Sequence, residues 1–462
     1  METESSRSVR DVLWSPEKRV VTGMLVWLGL LALASAFVAT PFRNETSSSG
    51  SIIYAHVMYF HGLLIGLVGL LSLISMDIFG NDHRGTLYQL VLWGTLGATV
   101  LSGVGGILNH MVSDVVPLWM QILSFFCLDE ILISLSISLF ARASKTRTTV
   151  TWLAAFSAFS MLFAAIMGHI AGWMLEFGDW PKAIVDGYAK LAGLTWQEWM
   201  ANLITSHSHE MVVGVLAFLV ALTVASFGVQ RDTLSRWTRF GLWWTTVGII
   251  ATTFVYVVAG FSVAQPPTLF AHGVNGLAGD DLVTGVGVMF GGLITLVGLA
   301  QERLPERVLR WSAVAVNAFL FVTVVVTGYY IEFHETAYGM GNPHARLAAN
   351  DAVFTWWHQD FAFFLLPAIL GVLLAIYRLQ VPQRTRQLAT AGLVGGAFVA
   401  FLAGMDYIFG DPAIHGSAFV IASIGIFLVV VGLATAIMGL VVTPRPALQT
   451  KTSGVVHHQS TS

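Results

Sequence analysis

About twelve stretches of roughly 20 apolar residues, separated by short breaks, leave this chain very little freedom in how it folds. A bilayer core takes about 20 residues of helix, and in lipid a spanning segment must bond all its backbone polar groups internally, which a helix does. The stretches run over 20–40, 53–79, 87–109, 117–141, 149–172, 205–228, 238–260, 281–300, 309–331, 353–377, 388–407 and 416–442. Of the 462 residues, 55% are hydrophobic and 11% charged, against roughly 25% charged in a soluble chain. No stretch remains in which a separate soluble domain could fold. The fold class expected is therefore all-α, a polytopic integral membrane protein of about twelve transmembrane helices. A membrane domain spans 20–443, with disordered tails over 1–19 and 444–462. The run beginning near Val20 has no small-residue cleavage site after it and reads as the first anchor.

Charge sets the orientation. If successive breaks lie on alternate sides, all but Arg43, Lys182, Lys190 and Arg346 of the 23 Lys and Arg fall on one side. The positive-inside rule makes that side cytoplasmic and both termini internal, in the cytoplasmic (inner) membrane. An even number of spans agrees with this. The outer breaks are the elaborate ones: 173–204 carries several Trp, and 261–280 and 332–352 are rich in Gly, Pro, His and acidic residues. Nothing in the composition suggests a nucleic-acid partner.

The single cysteine, Cys127, excludes an intrachain disulfide and a thiolate metal cluster. A metal would have to be held by His, carboxylate or Met. The histidines are distributed very unevenly. His83 lies in a cytoplasmic break, and His457 and His458 in the tail. The other eleven of the 14, His56, His61, His110, His169, His207, His209, His272, His334, His344, His358 and His415, all fall on the outer side. Ionisable side chains at membrane depth are costly and usually functional, and imidazole is the common ligand of haem iron, copper and zinc. A lone interfacial His is more often a capping or hydrogen-bonding group. Several at one depth on different helices can meet around a cofactor.

The sharpest motif is Ser206-His207-Ser208-His209-Glu210-Met211-Val212-Val213-Gly214. At 3.6 residues per turn, residues two apart point about 200° away from each other. His207 and His209 therefore cannot both ligate one small ion, but each can reach a different planar cofactor. Gly214 is expected to offer bare backbone on which a macrocycle could lie. The alternative is two unrelated interfacial histidines. Mid-span, Asp129-Glu130 is expensive in lipid and reads either as part of a proton path or as a helix–helix polar contact.

This motif resembles that of the haem-copper oxidase superfamily, which includes the bacterial nitric oxide reductases. There a twelve-helix subunit with both termini inside carries His-x-His-x-x-x-x-Gly, matched here by His207, His209 and Gly214. The family's second low-spin haem ligand lies on its second helix in a His-Gly context, which His61-Gly62 resembles. Its copper-binding helix has aromatics, a His, an acid two residues later and a Pro nine after the His. Trp356-Trp357-His358-Gln359-Asp360 and Pro367 reproduce these offsets. The tyrosine four after that His is Ala362 here, as in nitric oxide reductases, which lack it too. No adjacent His-His pair occurs within the membrane, and the double-His helix precedes the single-His one, the reverse of the family order. The motifs fall on the second, sixth and tenth spans, equivalent positions in the family's pseudo-threefold arrangement. His207 to Gly214 also resemble the His-x-His-Glu-Met-x-x-Gly motif of the NnrS family, haem- and copper-containing membrane proteins tied to nitric oxide stress.

The resemblance implies a haem-binding membrane oxidoreductase of the respiratory or denitrification type, acting on O2 or NO. His61 and His209 would ligate a low-spin haem b, and His207 a second haem. His358, with His415 or His272, would hold copper or non-haem iron, and Asp360 would deliver protons or complete the coordination. The implied partners, besides the lipid bilayer, are an electron-donating cytochrome, cupredoxin or quinol and small accessory subunits. Two rival classes stay open: a non-catalytic haem- or copper-binding NO-response or accessory protein, and a His-dependent cation or proton transporter.

Overall fold

The structure, a computed structural model, describes residues 49–79, 85–111, 115–176, 186–187, 196–226, 234–260, 283–301, 311–312, 314–316, 318, 365–378, 381–409 and 412–442. The described elements are all helical: α1 (Ser49–Ile78), α2 (Thr86–Met111), α3 (Val115–Thr146), α4 (Thr149–Glu176), α5 (Trp196–Ser226) and α6 (Arg236–Gly260). A π-helical stretch, Val283–Met289, leads into α7 (Phe290–Gln301), followed by α8 (Leu366–Arg378) and α9 (Gln383–Thr390). A second π-helical stretch, Ala391–Gly395, joins α9 to α10 (Gly396–Phe409), and a short 3-10 turn, Pro412–Ile414, precedes α11 (His415–Val442).

This is a helical membrane protein. Among the described residues, seven helical segments are long and apolar enough to cross a bilayer: Thr86–Gly105, Ile122–Thr146, Thr149–Trp173, Ser206–Ser226, Arg236–Val257, Gln383–Met405 and Gly416–Leu440. Shorter apolar helices, Leu64–Ile78, Gly285–Gln301 and Leu366–Tyr377, occupy parts of the second, eighth and tenth expected spans. The first expected span, nearly all of the ninth and both tails lie outside the described residues.

Many hydroxyl side chains inside these helices satisfy themselves locally, though those of Ser75, Thr95, Thr99, Ser136, Thr252 and Thr390 are buried without a partner among the described residues. Ser72 donates to Val68 O, Ser157 to Leu153 O and Thr223 to Leu219 O, each at 2.7 Å and each four residues back. A buried hydroxyl is costly without a partner, and this back-bond keeps the polarity within one helix. The α3–α4 connection is tight. Arg147 adopts a left-handed conformation, φ 53°, with its N–H bonded to Ala143 O at 2.8 Å. Thr148 Oγ1 then accepts from the N–H of Thr151, capping the start of α4.

Three packed pairs of neighbouring helices run antiparallel. Between α3 and α4, Asp129 meets His169 while Phe140 meets Trp152. Between α4 and α5, Ala164 meets His207 while Ser157 meets Gly214. Between α6 and α7, Thr238 meets Gly298 while Thr245 meets Gly291. The axis of the assembly is α5, which packs against α1, α4, α6, α7 and α8. Its membrane segment Ser206–Ser226 is 83% buried, compared with 33% for α11. That contrast makes α5 a central helix and leaves α11 at the periphery.

One close backbone crossing joins α6 to the first π-helical stretch. A Cβ on Gly287 would lie 2.8 Å from Gly248 Cα, closer than real Cβ contacts come. Small residues that let backbones approach are the usual membrane substitute for hydrophobic burial. Gly248→Val should therefore destabilise the folded protein by about 1–3 kcal/mol through overpacking. A lower melting temperature of the detergent-solubilised variant checks this.

Candidate functional site on the central helix

Helix α5 places His207, His209 and Glu210 within its first apolar turns. The helix begins at Trp196, well before the apolar run, so these residues lie inside regular helix and their directions are fixed. His207 turns towards α4: its Nδ1 is 2.7 Å from Ala164 O, and its ring lies against Gly168, where a Cβ would overlap it. His209 turns towards α6, its ring 6.0 Å from that of Tyr256 and inclined at 27°. The divergence expected from their spacing is present.

Glu210 is wholly buried between α4 and α6. Ser160 Oγ donates to Glu210 Oε1 at 3.4 Å, and the Thr253 hydroxyl also bonds the carboxyl. The other oxygen, Oε2, is buried with no partner among the described residues. A carboxyl group in an apolar interior is expensive, and a half-satisfied one is a place to look for function.

A second polar pair sits one helix further out. On α4, His169 Nδ1 is 2.8 Å from Oδ2 of Asp129 on α3. The rings of Phe125 and Phe126 lie 5.3 and 6.0 Å from the imidazole. His169 Nε2 and Asp129 Oδ1 are buried without partners among the described residues. Of the two sequence readings of Asp129, this is the helix–helix contact, made to a histidine. Its neighbour Glu130 points instead towards α2, beside Gly94.

Other expected site residues are less defined. His61 lies within α1 and His415 opens α11, but neither side chain is among those described. His272, His358 and Asp360 lie outside the described residues. Pro367, from the same motif, is the second residue of α8.

The expectation for Gly214 needs correction. A Cβ there would lie 2.7 Å from Met161 Cγ and 3.2 Å from Met161 N, so its bare backbone receives α4 and not a macrocycle. The same helix fills the space beside His207. A haem does not fit on that face of α5. His209, by contrast, faces Tyr256 of α6. Among the described residues, no three His, Cys, Asp or Glu side chains converge as a cage for a bare metal ion.

Sequence reasoning passed over Glu210, Tyr256 and His169 as site residues. For His169 the signal was partial: an acid in mid-span and a histidine in the next span can meet when the two run antiparallel, but only the register between the helices pairs them.

Compared with family models, with characterised proteins and with solved structures, the chain matches none of them.

His207 thus serves to dock α4 onto α5. Replacing it with Ala should cost about 1–3 kcal/mol, from the lost bond to the Ala164 carbonyl and the gap left over Gly168. Thermal melts in detergent should show the loss. His207→Asn, which keeps a donor, should recover part of it.

Proposed function

We propose that the protein is a haem-binding membrane oxidoreductase that reduces a small diatomic, O2 or NO, in the outer half of the bilayer. The observation that carries this reading is the setting of His209. It projects from the central helix away from α4, half-buried, with its ring held nearly parallel to that of Tyr256. A ligating imidazole needs such a fixed orientation. Helix α1, which bears His61, packs against α5, and His61 is the proposed second ligand of a haem b held with His209.

When bound, that haem would supply one-electron chemistry. The chain's own residues would bind it, exclude water and manage protons. Leu203 on α5 and Ala164 and Met167 on α4 are buried and apolar, keeping water from the α4–α5 seam. Glu210 can hold a proton on Oε2 while Ser160 and Thr253 fix the carboxyl. His358 and Asp360, with His415 or His272, remain the proposed holders of copper or non-haem iron. Electrons would come from a quinol, a cytochrome or a cupredoxin, since the single cysteine excludes a thiolate cluster in this chain.

Two alternatives stand beside this. A haem-carrying accessory or NO-response protein would bind the same group without turnover. A proton or cation transporter is favoured by the buried Glu210 and the Asp129–His169 pair, because intramembrane acids and histidines mark ion pathways.

A reduced-minus-oxidised spectrum separates these readings. Protein produced with ample haem should show b-type bands, and His209→Ala and His61→Ala should each abolish the low-spin signal. A colourless preparation would end the haem reading and leave the transporter, to be tested by proton flux into proteoliposomes. Haem bands without O2 or NO consumption would select the accessory reading.

A further inference from the structure

The Asp129–His169 pair bonds through one atom of each partner and leaves the other atom of each dry. His169 Nδ1 is 2.8 Å from Asp129 Oδ2. The carboxylate only accepts, so Nδ1 carries the hydrogen. His169 Nε2 and Asp129 Oδ1 are buried without partners among the described residues. A contact that served only to hold α3 to α4 would gain from bonding these atoms, since each dry one costs about 1–3 kcal/mol. A proton relay needs the opposite: an open acceptor where the proton enters and an open oxygen where it leaves. Asp, Glu and His within membranes are the groups from which such relays are built.

The surroundings fit a proton and little else. The His169 and Asp129 side chains keep 24% and 20% of their surface exposed, so a small turn of the ring uncovers Nε2 without parting the helices. Further along the seam, Ser136 lies seven residues after Asp129 on α3, within about 20° of the same direction. Its hydroxyl is buried without a partner among the described residues. Beyond Ser136 the seam closes on rings. Phe140 meets Trp152, Phe156 and Phe159 at centroid distances of 6.1, 5.4 and 5.9 Å. These rings offer a proton no acceptor. Other titratable groups are turned elsewhere: Glu130 and Cys127 lie against Gly94 and Gly97 of α2, and His207 and Glu210 lie on the α5 side of α4. A bare metal ion would find too few ligands, since no three His, Cys, Asp or Glu converge among the described residues.

We propose that Asp129 and His169 form a proton-exchange centre, entered at Nε2 and stored at the Asp129 carboxyl, with the Phe140 ring cluster as the barrier that stops protons from crossing the seam. An arriving proton forms an N–H bond at Nε2. The Nδ1–H bond then breaks, its electron pair stays on the ring, and its proton passes to Oδ2. One proton has been gained, and the pair is now a neutral carboxyl beside a neutral imidazole. The reverse steps release it, and water bridges any gap wider than a hydrogen bond. Such a centre needs no bound haem and, behind its barrier, carries no proton flux in the wild type. It therefore stands or falls apart from the haem and transporter readings.

The test uses the full-length purified protein in proteoliposomes under a potassium diffusion potential, with internal pH read by a fluorescent dye. Wild type should take up protons no faster than empty liposomes. Phe140→Ala, which opens the barrier, should raise uptake about tenfold by removing an apolar obstacle to charge. Adding Asp129→Asn or His169→Gln to that variant should return uptake to the wild-type rate, and adding Glu130→Gln should not. Infrared difference spectra between high and low pH give a second readout on a chain with the barrier intact. A carboxyl C=O band that shifts in D2O should be present in wild type, vanish in Asp129→Asn and persist in Glu130→Gln. That readout keeps the proposal open to refutation where Phe140→Ala fails to fold. A Phe140→Ala leak that survives Asp129→Asn, a leak that admits sodium as readily as protons, a wild type that leaks as fast as Phe140→Ala, or spectra unchanged by Asp129→Asn would each overturn this inference. None of these outcomes touches the His61–His209 haem, which the reduced-minus-oxidised spectrum of the same preparation tests separately.

Discussion

A bilayer offers no water to a polar group, so each polar atom in a spanning helix must find its partner inside the protein. The rest of this structure follows from how α5 meets that demand. It carries two histidines and a glutamate into the apolar region, and neighbours on several sides answer them. Helix α4 supplies the Ala164 carbonyl and the Ser160 hydroxyl, and α6 supplies Thr253 and Tyr256. These contacts fix the rotation of α5 about its own axis, because turning it would strand several polar groups at once. Simple hydroxyls impose no such restraint, since most of those described bond back to their own helix.

Fixing α5 also fixes its neighbours. Helix α4 is held by His207 at Gly168 and by Met161 at Gly214, and α4 in turn carries His169 to Asp129 on α3. A polar thread thus passes from α3 through α4 and α5 to α6. Its members are satisfied to different degrees. His207 is bonded, Glu210 is bonded through one oxygen, and the Asp129–His169 pair keeps one dry atom on each partner. The least satisfied members are the natural places for a bound group, because a ligand there removes a cost that the fold alone bears.

How much of this could be read from the sequence depends on the length of the signal. Long apolar runs announce α2, α6 and α11 to within about two residues at each end, and α3 and α4 to within about five, because in lipid one requirement dominates every position. The 200° divergence of His207 and His209 was also legible, since helical geometry alone sets it. The role of Gly214 was not. A glycine five after a histidine suits a porphyrin or a neighbouring backbone equally well, and Met161 settles the matter only once α4 is in place. The pairing of Asp129 with His169 needed the register between two helices, which no local pattern contains. Likewise the start of α5 at Trp196 lies beyond the apolar run, where helix is held by tertiary contacts such as those of buried Trp199 and Leu203.

The two π-helical stretches share a setting. Val283–Met289 contains Gly287, set against Gly248 of α6, and Ala391–Gly395 contains Gly392, where a Cβ would lie 2.7 Å from Gly432 Cα of α11. A π turn holds about one residue more than the α turn it replaces, so it acts as a phase shifter: residues after it are rotated by roughly 100° from where a continuous α-helix would put them. Each shifter sits where two backbones touch, the one place where the helix cannot roll to absorb the offset. Removing a single residue from either stretch would therefore change which face the following segment, α7 or α10, shows to its partner and to the lipid, without changing its composition or its length across the membrane. In this fold, helix facing is set by residue count as much as by residue type.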